Sequence, residues 1–284
     1  MYIDTNSREG MENSISAYLD ITVDELYQYI DYAAEKAQLG QSLFDIDIFF
    51  AELEGIISDL MPEIEIDELL FFHFSRRLHG TEDNFSGWNL EELLTKGNVF
   101  SDFLRKHQLV FVKRKQNIAT YYKGKEVAWE KFLNDDGRYI KYRLGNYNGQ
   151  GDYCLNGFAF KDLLYKNDYA RYLSKGPELL QKLIDCLECE AMGNDFMKNS
   201  SYYCYEYRVP IDRVLFDEHD EYSRSQKQRY IVCCVCRRLL RYSKILSTRY
   251  MYDDGNPILR LGDHDILPAE FFVQKEYITE DMLR

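Results

Sequence analysis

Acidic residues crowd into the first quarter of the chain, and this uneven distribution narrows the possible folds more than any other property of the sequence. Residues 1–70 contain 17 acidic residues and only two basic ones, Arg8 and Lys36, whereas the rest of the chain is close to neutral. So many carboxylates need a solvated surface, while the apolar residues between them need a face to bury. We therefore expect an acidic helical N-terminal region over residues 1–67, followed by a second region over residues 68–284.

Two helices are expected in the acidic region. Thr22 and Glu25 have the spacing of a capping box, and Leu26 begins a series of apolar residues at helical spacing. A second apolar series covers residues 44–60, and Pro62 follows it. Because proline cannot continue a helix, we expect the second helix to end there.

The remainder mixes strand and helix patterns, which predicts an α+β fold with a mixed or antiparallel sheet and short helices. Residues 68–74, 109–113, 139–144, 153–160 and 202–209 read as strands, and residues 161–172 and 178–189 read as helices. Residues 228–242 fit either a helix or a buried strand, because their Val-Cys-Cys-Val centre is apolar on all sides.

Several classes of protein are disfavoured by composition. No apolar run approaches 18 residues, and the N-terminus has no secretory pattern, so we expect a cytoplasmic protein without a membrane span. The net charge of −13 disfavours broad nucleic-acid binding, which requires clustered lysines and arginines. Cys186-x-x-Cys189 and Cys233-Cys234-x-Cys236 have zinc-ligand spacing but lack the flanking glycine turns, so we expect buried thiols and no metal.

Two aromatic segments carry the candidate chemistry. Residues 71–77 read Phe-Phe-His-Phe-Ser-Arg-Arg, and residues 203–208 read Tyr-Cys-Tyr-Glu-Tyr-Arg. A His on one strand and a Glu on a later strand are the minimal equipment for glycosyl transfer from a dinucleotide. The His and a neighbouring hydroxyl group hold the ribose, and the Glu stabilises the positive charge that develops as nicotinamide leaves.

These segments resemble the diphtheria-toxin/PARP-like ADP-ribosyltransferase superfamily and some bacterial abortive-infection proteins. The matching residues are His73-Phe74-Ser75 and Glu206-Tyr207-Arg208, and the resemblance covers about residues 69–216. It implies a transferase that uses NAD and serves as an intracellular effector or toxin, as in conflict between bacteria and phage. The implied roles are catalysis by Glu206 and His73, ribose binding by His73 and Ser75, phosphate contact by Arg76 or Arg77, and nicotinamide stacking by Tyr153.

Alternatives stay open at this stage. Glu270 competes with Glu206 as the acidic residue. A non-catalytic interaction or sensor module that keeps a degenerate fold is a second function, and a nuclease is a third. The target is an unknown protein or nucleic acid. The acidic residues 1–70 either pack on the body of the chain, dock on a basic partner, or cover the basic clusters at residues 76–77 or 113–115.

Overall fold

The computed structural model describes residues 1–40, 43–147, 151–245 and 247–283. Within these residues it confirms the α+β fold, with ten α-helices and nine strands. The helices are α1 (Arg8–Leu19), α2 (Val23–Ala37), α3 (Ile46–Leu60), α4 (Leu90–Thr95), α5 (Val99–Lys106), α6 (Asp135–Arg143), α7 (Asp168–Leu173), α8 (Glu178–Leu187), α9 (Glu190–Lys198) and α10 (Arg224–Lys244). The strands are β1 (Glu68–Leu78), β2 (Leu109–Lys113), β3 (Ile118–Tyr122), β4 (Lys125–Glu126), β5 (Asn156–Phe158), β6 (Ser200–Pro210), β7 (Leu215–Phe216), β8 (Ile258–Arg260) and β9 (Phe272–Tyr277).

The chain forms two compact units, and neither is continuous in sequence. Unit 1 contains Met1–Phe72, Phe158–Asn167 and Tyr207–Leu259, and unit 2 contains His73–Gly157, Asp168–Glu206 and Arg260–Arg284. In unit 1 the acidic helices α1, α2 and α3 all pack against α10. The predicted boundary after residue 67 therefore does not separate the acidic region from the rest of the chain, because these helices share one core with α10.

Local signals in the acidic region are confirmed. Thr22 and Glu25 form the predicted capping box at the start of α2. Helix α3 begins after Asp45, whose side chain accepts hydrogen bonds from the next helical N–H groups, and it ends at Met61 in a left-handed conformation. Helix α1 was not predicted, although Ser7 caps it and Met11, Ile15, Tyr18 and Leu19 are its buried apolar residues.

The burial of helix α10 explains why residues 228–242 fit both a helix and a buried strand in the sequence. Six consecutive residues, Ile231–Cys236, are buried, so the middle of the helix is enclosed on every side. Such a helix shows no amphipathic period and cannot be distinguished from a buried strand by pattern alone. Ser223 and Gln226 form a capping box at its start, and this is the signal that identifies a helix.

The predicted strand at residues 139–144 is wrong, because this segment belongs to helix α6 and the turn after it. Asn134 caps α6 by accepting from the backbone of Gly137, and Ile140 and Leu144 are buried one helical turn apart. The predicted strand at residues 153–160 is reduced to β5. Most of the helix predicted over residues 161–172 is a short 3-10 turn followed by α7.

Six strands follow the order β7-β8-β5-β1-β6-β9, and a second sheet follows the order β2-β3-β4. Strands β1 and β5 are antiparallel, with Phe72 opposite Phe158. In unit 2, β3 and β4 are joined by Lys123 and Gly124, both with positive φ, as a two-residue hairpin of the type I′ form requires. Strands β1 and β6 carry His73, Ser75, Arg76, Arg77 and Glu206, whereas Tyr153 and Glu270 lie outside the strands.

Candidate functional site on strand β1

Contacts within unit 2 define the two faces of β1 and β6. On one face, the rings of Phe74 and Tyr202 stack with centroids 5.6 Å apart, and Arg76 Nε donates to Ser200 Oγ at 2.9 Å. On the other face, the Arg77 guanidinium lies 5.0 Å from the ring centroid of Tyr205. Successive side chains of a strand point to opposite faces. His73 and Ser75 therefore share the face of Arg77 and Tyr205, which we call the His73 face.

The strand register leads to the same arrangement. The backbone N–H of His79 donates to the carbonyl of Asn199, which pairs the end of β1 with the start of β6. Counting back along antiparallel strands from this pair places His73 opposite Tyr205. Glu206, the next residue, points to the opposite face, together with Tyr202. The structure thus does not bring His73 and Glu206 to one cleft, which the transferase interpretation requires.

His73 is held in one hydrogen-bonding state. Its Nδ1 lies 2.7 Å from the carbonyl oxygen of Asn156, so Nδ1 carries the proton and Nε2 is left as an acceptor. Burial is the main cause that lowers the pKa of His73 to about 4; the nearby Arg77 adds to the shift, and the hydrogen bond with Asn156 opposes it. The imidazole is therefore neutral at pH 7. Its Nε2 can accept a hydrogen bond from a hydroxyl or amide donor, and the predicted role of His73 in ribose binding stays a prediction.

Two neighbours on the same face have unused polar groups. Ser75 is partly exposed, and within the described residues its hydroxyl group has no hydrogen-bond partner. No carboxylate among these residues pairs with Arg77, and its Nε is buried without a partner. A cation that rests on an aromatic ring and lacks a counter-ion is well suited to hold an anion.

Arg76 is not available for a phosphate, because its guanidinium group already donates hydrogen bonds to other residues of unit 2. Besides Ser200 Oγ, it donates to the carbonyl oxygens of Ser174 at 2.9 Å, Ser200 at 3.1 Å and Met197 at 3.3 Å. The sequence left Arg76 and Arg77 as alternatives, and the geometry favours Arg77. Strand alternation decides between them, since adjacent residues point to opposite faces.

The two acidic candidates differ in their surroundings. Glu206 is only 4% exposed, and one of its carboxylate oxygens accepts from Gln274 Nε2 at 2.7 Å. Glu270 is exposed in a 3-10 turn over Ala269–Phe271. A buried carboxylate bonded to an amide is fully consistent with a structural role.

Tyr153 is a core residue rather than an open stacking surface. It is 7% exposed and belongs to a hydrophobic cluster with Leu94, Trp129 and Ile140. Its hydroxyl group sits so close to Gly145 that a Cβ at that glycine would lie 2.4 Å away, and Gly145 has a φ of +71°. Nicotinamide stacking on Tyr153 stays a prediction, and the structure places this ring in the hydrophobic core of unit 2.

Unit 2 contains one polar cluster that the sequence does not predict. Potential metal-ligand atoms of Asp152, Cys154 and Asp263 lie within 4.8 Å of one another. Arg143 already pairs with Asp152 at 2.7 Å, and Cys154 Sγ lies 2.9 Å from the other Asp152 oxygen. Burial raises the pKa of the Cys154 thiol to about 12, so it stays protonated. Asp152 and Cys154 thus already have partners within the protein, and Asp263 accepts a hydrogen bond from the backbone N–H of Tyr153 at 3.3 Å. Only folding brings Asp263 to the other two residues, so no local spacing signals it.

The other cysteines and basic residues named in the sequence lie in helices or beside them, or form ion pairs. Cys233, Cys234 and Cys236 are buried in α10 within unit 1. In unit 2, Cys186 lies in α8 and Cys189 immediately precedes α9. In unit 2, Lys113 pairs with Glu91 and Arg114 pairs with Glu126, so these two cations already have carboxylate partners. Within the described ranges, no helix is both long enough and apolar enough to cross a membrane.

Comparison with protein-family models, with curated proteins and with solved structures finds no match for this chain. The case for function therefore rests on the geometry of the His73 face.

Proposed function

We propose that this protein is a non-catalytic binding module for a nucleotide such as NAD or ADP-ribose, which it holds on the His73 face. The supporting observation is the combination of His73, whose Nε2 has no partner among the described residues, with Arg77, which pairs with no carboxylate among the same residues. His73 Nε2 accepts from a ribose hydroxyl, Ser75 adds a second polar contact, and Arg77 neutralises a phosphate.

A binding role is favoured over ADP-ribosyl transfer because of the position of Glu206. Transfer needs a carboxylate beside the developing positive charge on the ribose. Glu206 points away from the His73 face and is bonded to Gln274. The resemblance to ADP-ribosyltransferases supplies the class of ligand, and transfer with Glu206 as the carboxylate that stabilises the transition state stays a prediction that the same experiment tests.

The experiment is titration of the full chain with NAD, ADP-ribose and AMP, followed by calorimetry and by nicotinamide release. We expect binding without turnover, weakened about tenfold to a hundredfold in Arg77→Met and in His73→Ala, since each loses a hydrogen bond to a polar or charged group. Arg138→Met is the matched control, because Arg138 is 73% exposed on α6 and outside the His73 face.

Three results would contradict this proposal. Absence of binding by all three nucleotides would remove the ligand class. Binding that is unchanged in both β1 variants would move the site elsewhere. Nicotinamide release that is abolished in Glu206→Gln would establish a transferase instead of a binding module.

A further inference from the structure

A groove lies between α8 and α9 in unit 2, apart from the His73 face. Its volume is about 240 Å³, and Ile184, Phe196 and Met197 contribute to its apolar surface. Gly193 allows the two helices to approach closely, since a Cβ at this position would lie 2.8 Å from Ile184 Cδ1. Pockets for drug-sized ligands usually measure about 300–1,000 Å³. This groove is smaller, so it fits one compact ligand.

Polar groups of opposite charge also line the groove. Lys175, Glu190 and Asn194 line it, and all three are exposed. Within the described part of the chain, none of their side chains makes a hydrogen bond or an ion pair. Most other charged residues of α8 and α9 behave differently: Lys182, for example, pairs with Asp136, and Asp195 pairs with Lys106 and His107.

Hydrogen bonds from Arg76 and Gln181 hold the segments that line the groove. The Arg76 guanidinium donates to the carbonyl oxygen of Ser174, next to Lys175, and to that of Met197 in α9. Gln181 Nε2 donates to the carbonyl of Gly176 at 2.6 Å, which fixes the turn that leads into α8. These hydrogen bonds hold the lining segments in position, and a preorganised site loses less entropy on binding.

We infer that this groove binds a free α-amino acid with a large apolar side chain, such as leucine. A zwitterion matches the charges: Lys175 receives the carboxylate group, Glu190 receives the ammonium group, and the side chain lies against Ile184, Phe196 and Met197. Burial of one such side chain together with two charge-assisted hydrogen bonds accounts for the affinity. A peptide segment lacks the two adjacent charges, so it is the poorer occupant.

The test is calorimetric titration of the full chain with L-leucine and, separately, with N-acetyl-L-leucinamide, which keeps the side chain and lacks both charges. We expect L-leucine to bind and the uncharged derivative to bind at least tenfold more weakly. Lys175→Met and Glu190→Gln should each weaken leucine binding about tenfold to a hundredfold. Lys198→Met and Asp185→Asn are matched controls, since both residues are exposed and neither lines the groove.

Each opposite outcome overturns the inference. Equal affinity for the uncharged derivative would assign the groove to an apolar side chain of a peptide. Leucine binding that survives both groove variants would place the amino acid elsewhere. Absence of binding by leucine, methionine and phenylalanine up to their solubility would remove the ligand class. Circular dichroism of both variants confirms that they are folded before any of these results is interpreted.

Discussion

Substitution of Arg238 by methionine tests how unit 1 is stabilised. Arg238 lies in α10 and is 2% exposed. Its guanidinium pairs with Asp253 and lies 3.6 Å from Asp162, and both carboxylates are almost fully buried. Methionine fills most of the space of the arginine stem but carries no charge. The variant therefore leaves two buried carboxylates without the Arg238 cation; Tyr242 still donates to Asp162, and Asn256 still donates to Asp253.

The expected cost follows from this imbalance. Removal of one partner from a buried ion pair usually destabilises a protein by about 3–5 kcal/mol, because the remaining charge stays buried. Natural proteins have a free energy of unfolding of about 5–15 kcal/mol, so Arg238→Met should remove a large part of it. Asp253→Asn added to Arg238→Met should recover some of the loss, because one uncompensated carboxylate is removed.

Urea unfolding at pH 7, followed by fluorescence and circular dichroism, measures this cost. Arg241→Met is the control on the same helix: Arg241 pairs with Asp254, which is 70% exposed, so its loss should cost at most about 1 kcal/mol. If both variants lose the same small amount of stability, the reasoning about burial is refuted.

The dependence on pH provides a second check of the same reasoning. Burial raises the pKa of Asp162 in the folded protein, although Arg238 opposes the rise. A carboxyl group whose folded pKa is raised makes the protein less stable as pH increases from its unfolded pKa, about 3.9, through its folded pKa. Without Arg238 this loss becomes larger. The gap in stability between Arg238→Met and the original protein should therefore narrow as pH falls toward about 4, and a constant gap would contradict the explanation.

Two further predictions concern the acidic region and the cysteines. Deletion of residues 1–60 should leave an insoluble or unfolded chain, because α1, α2 and α3 pack on α10; a soluble product that binds polyanions in a salt-sensitive manner would instead support the shielding alternative. Elemental analysis should find no zinc, and a chelator should leave the melting temperature unchanged, because the α10 thiols are buried and burial raises their pKa; about one metal per chain would contradict this.

The candidate site shows where sequence reasoning reaches its limit. Within β1, alternation alone separates Arg76 from Arg77 once the strand is recognised. The relation between His73 and Glu206 is different, since it depends on the register between β1 and β6. A shift of one residue would move Glu206 to the His73 face, and no local pattern in an aromatic, two-sided strand specifies that shift. The free state of His73 Nε2 likewise depends on Asn156, which is 83 residues away.

The sequence by itself determined the features that depend on neighbouring residues: the capped helix α2, the helix α3 that ends before Pro62, the apolar strand β1 and the acidic surface of the first 70 residues. Each follows from side-chain spacing and local hydrogen bonds. Only the tertiary structure decided that α10 is a buried helix and that residues 1–72 share a unit with it. It also decided which polar groups on the His73 face and in the groove between α8 and α9 lack a hydrogen-bond or ion-pair partner among the described residues. These properties arise from contacts between residues far apart in the chain, where burial and register override local pattern.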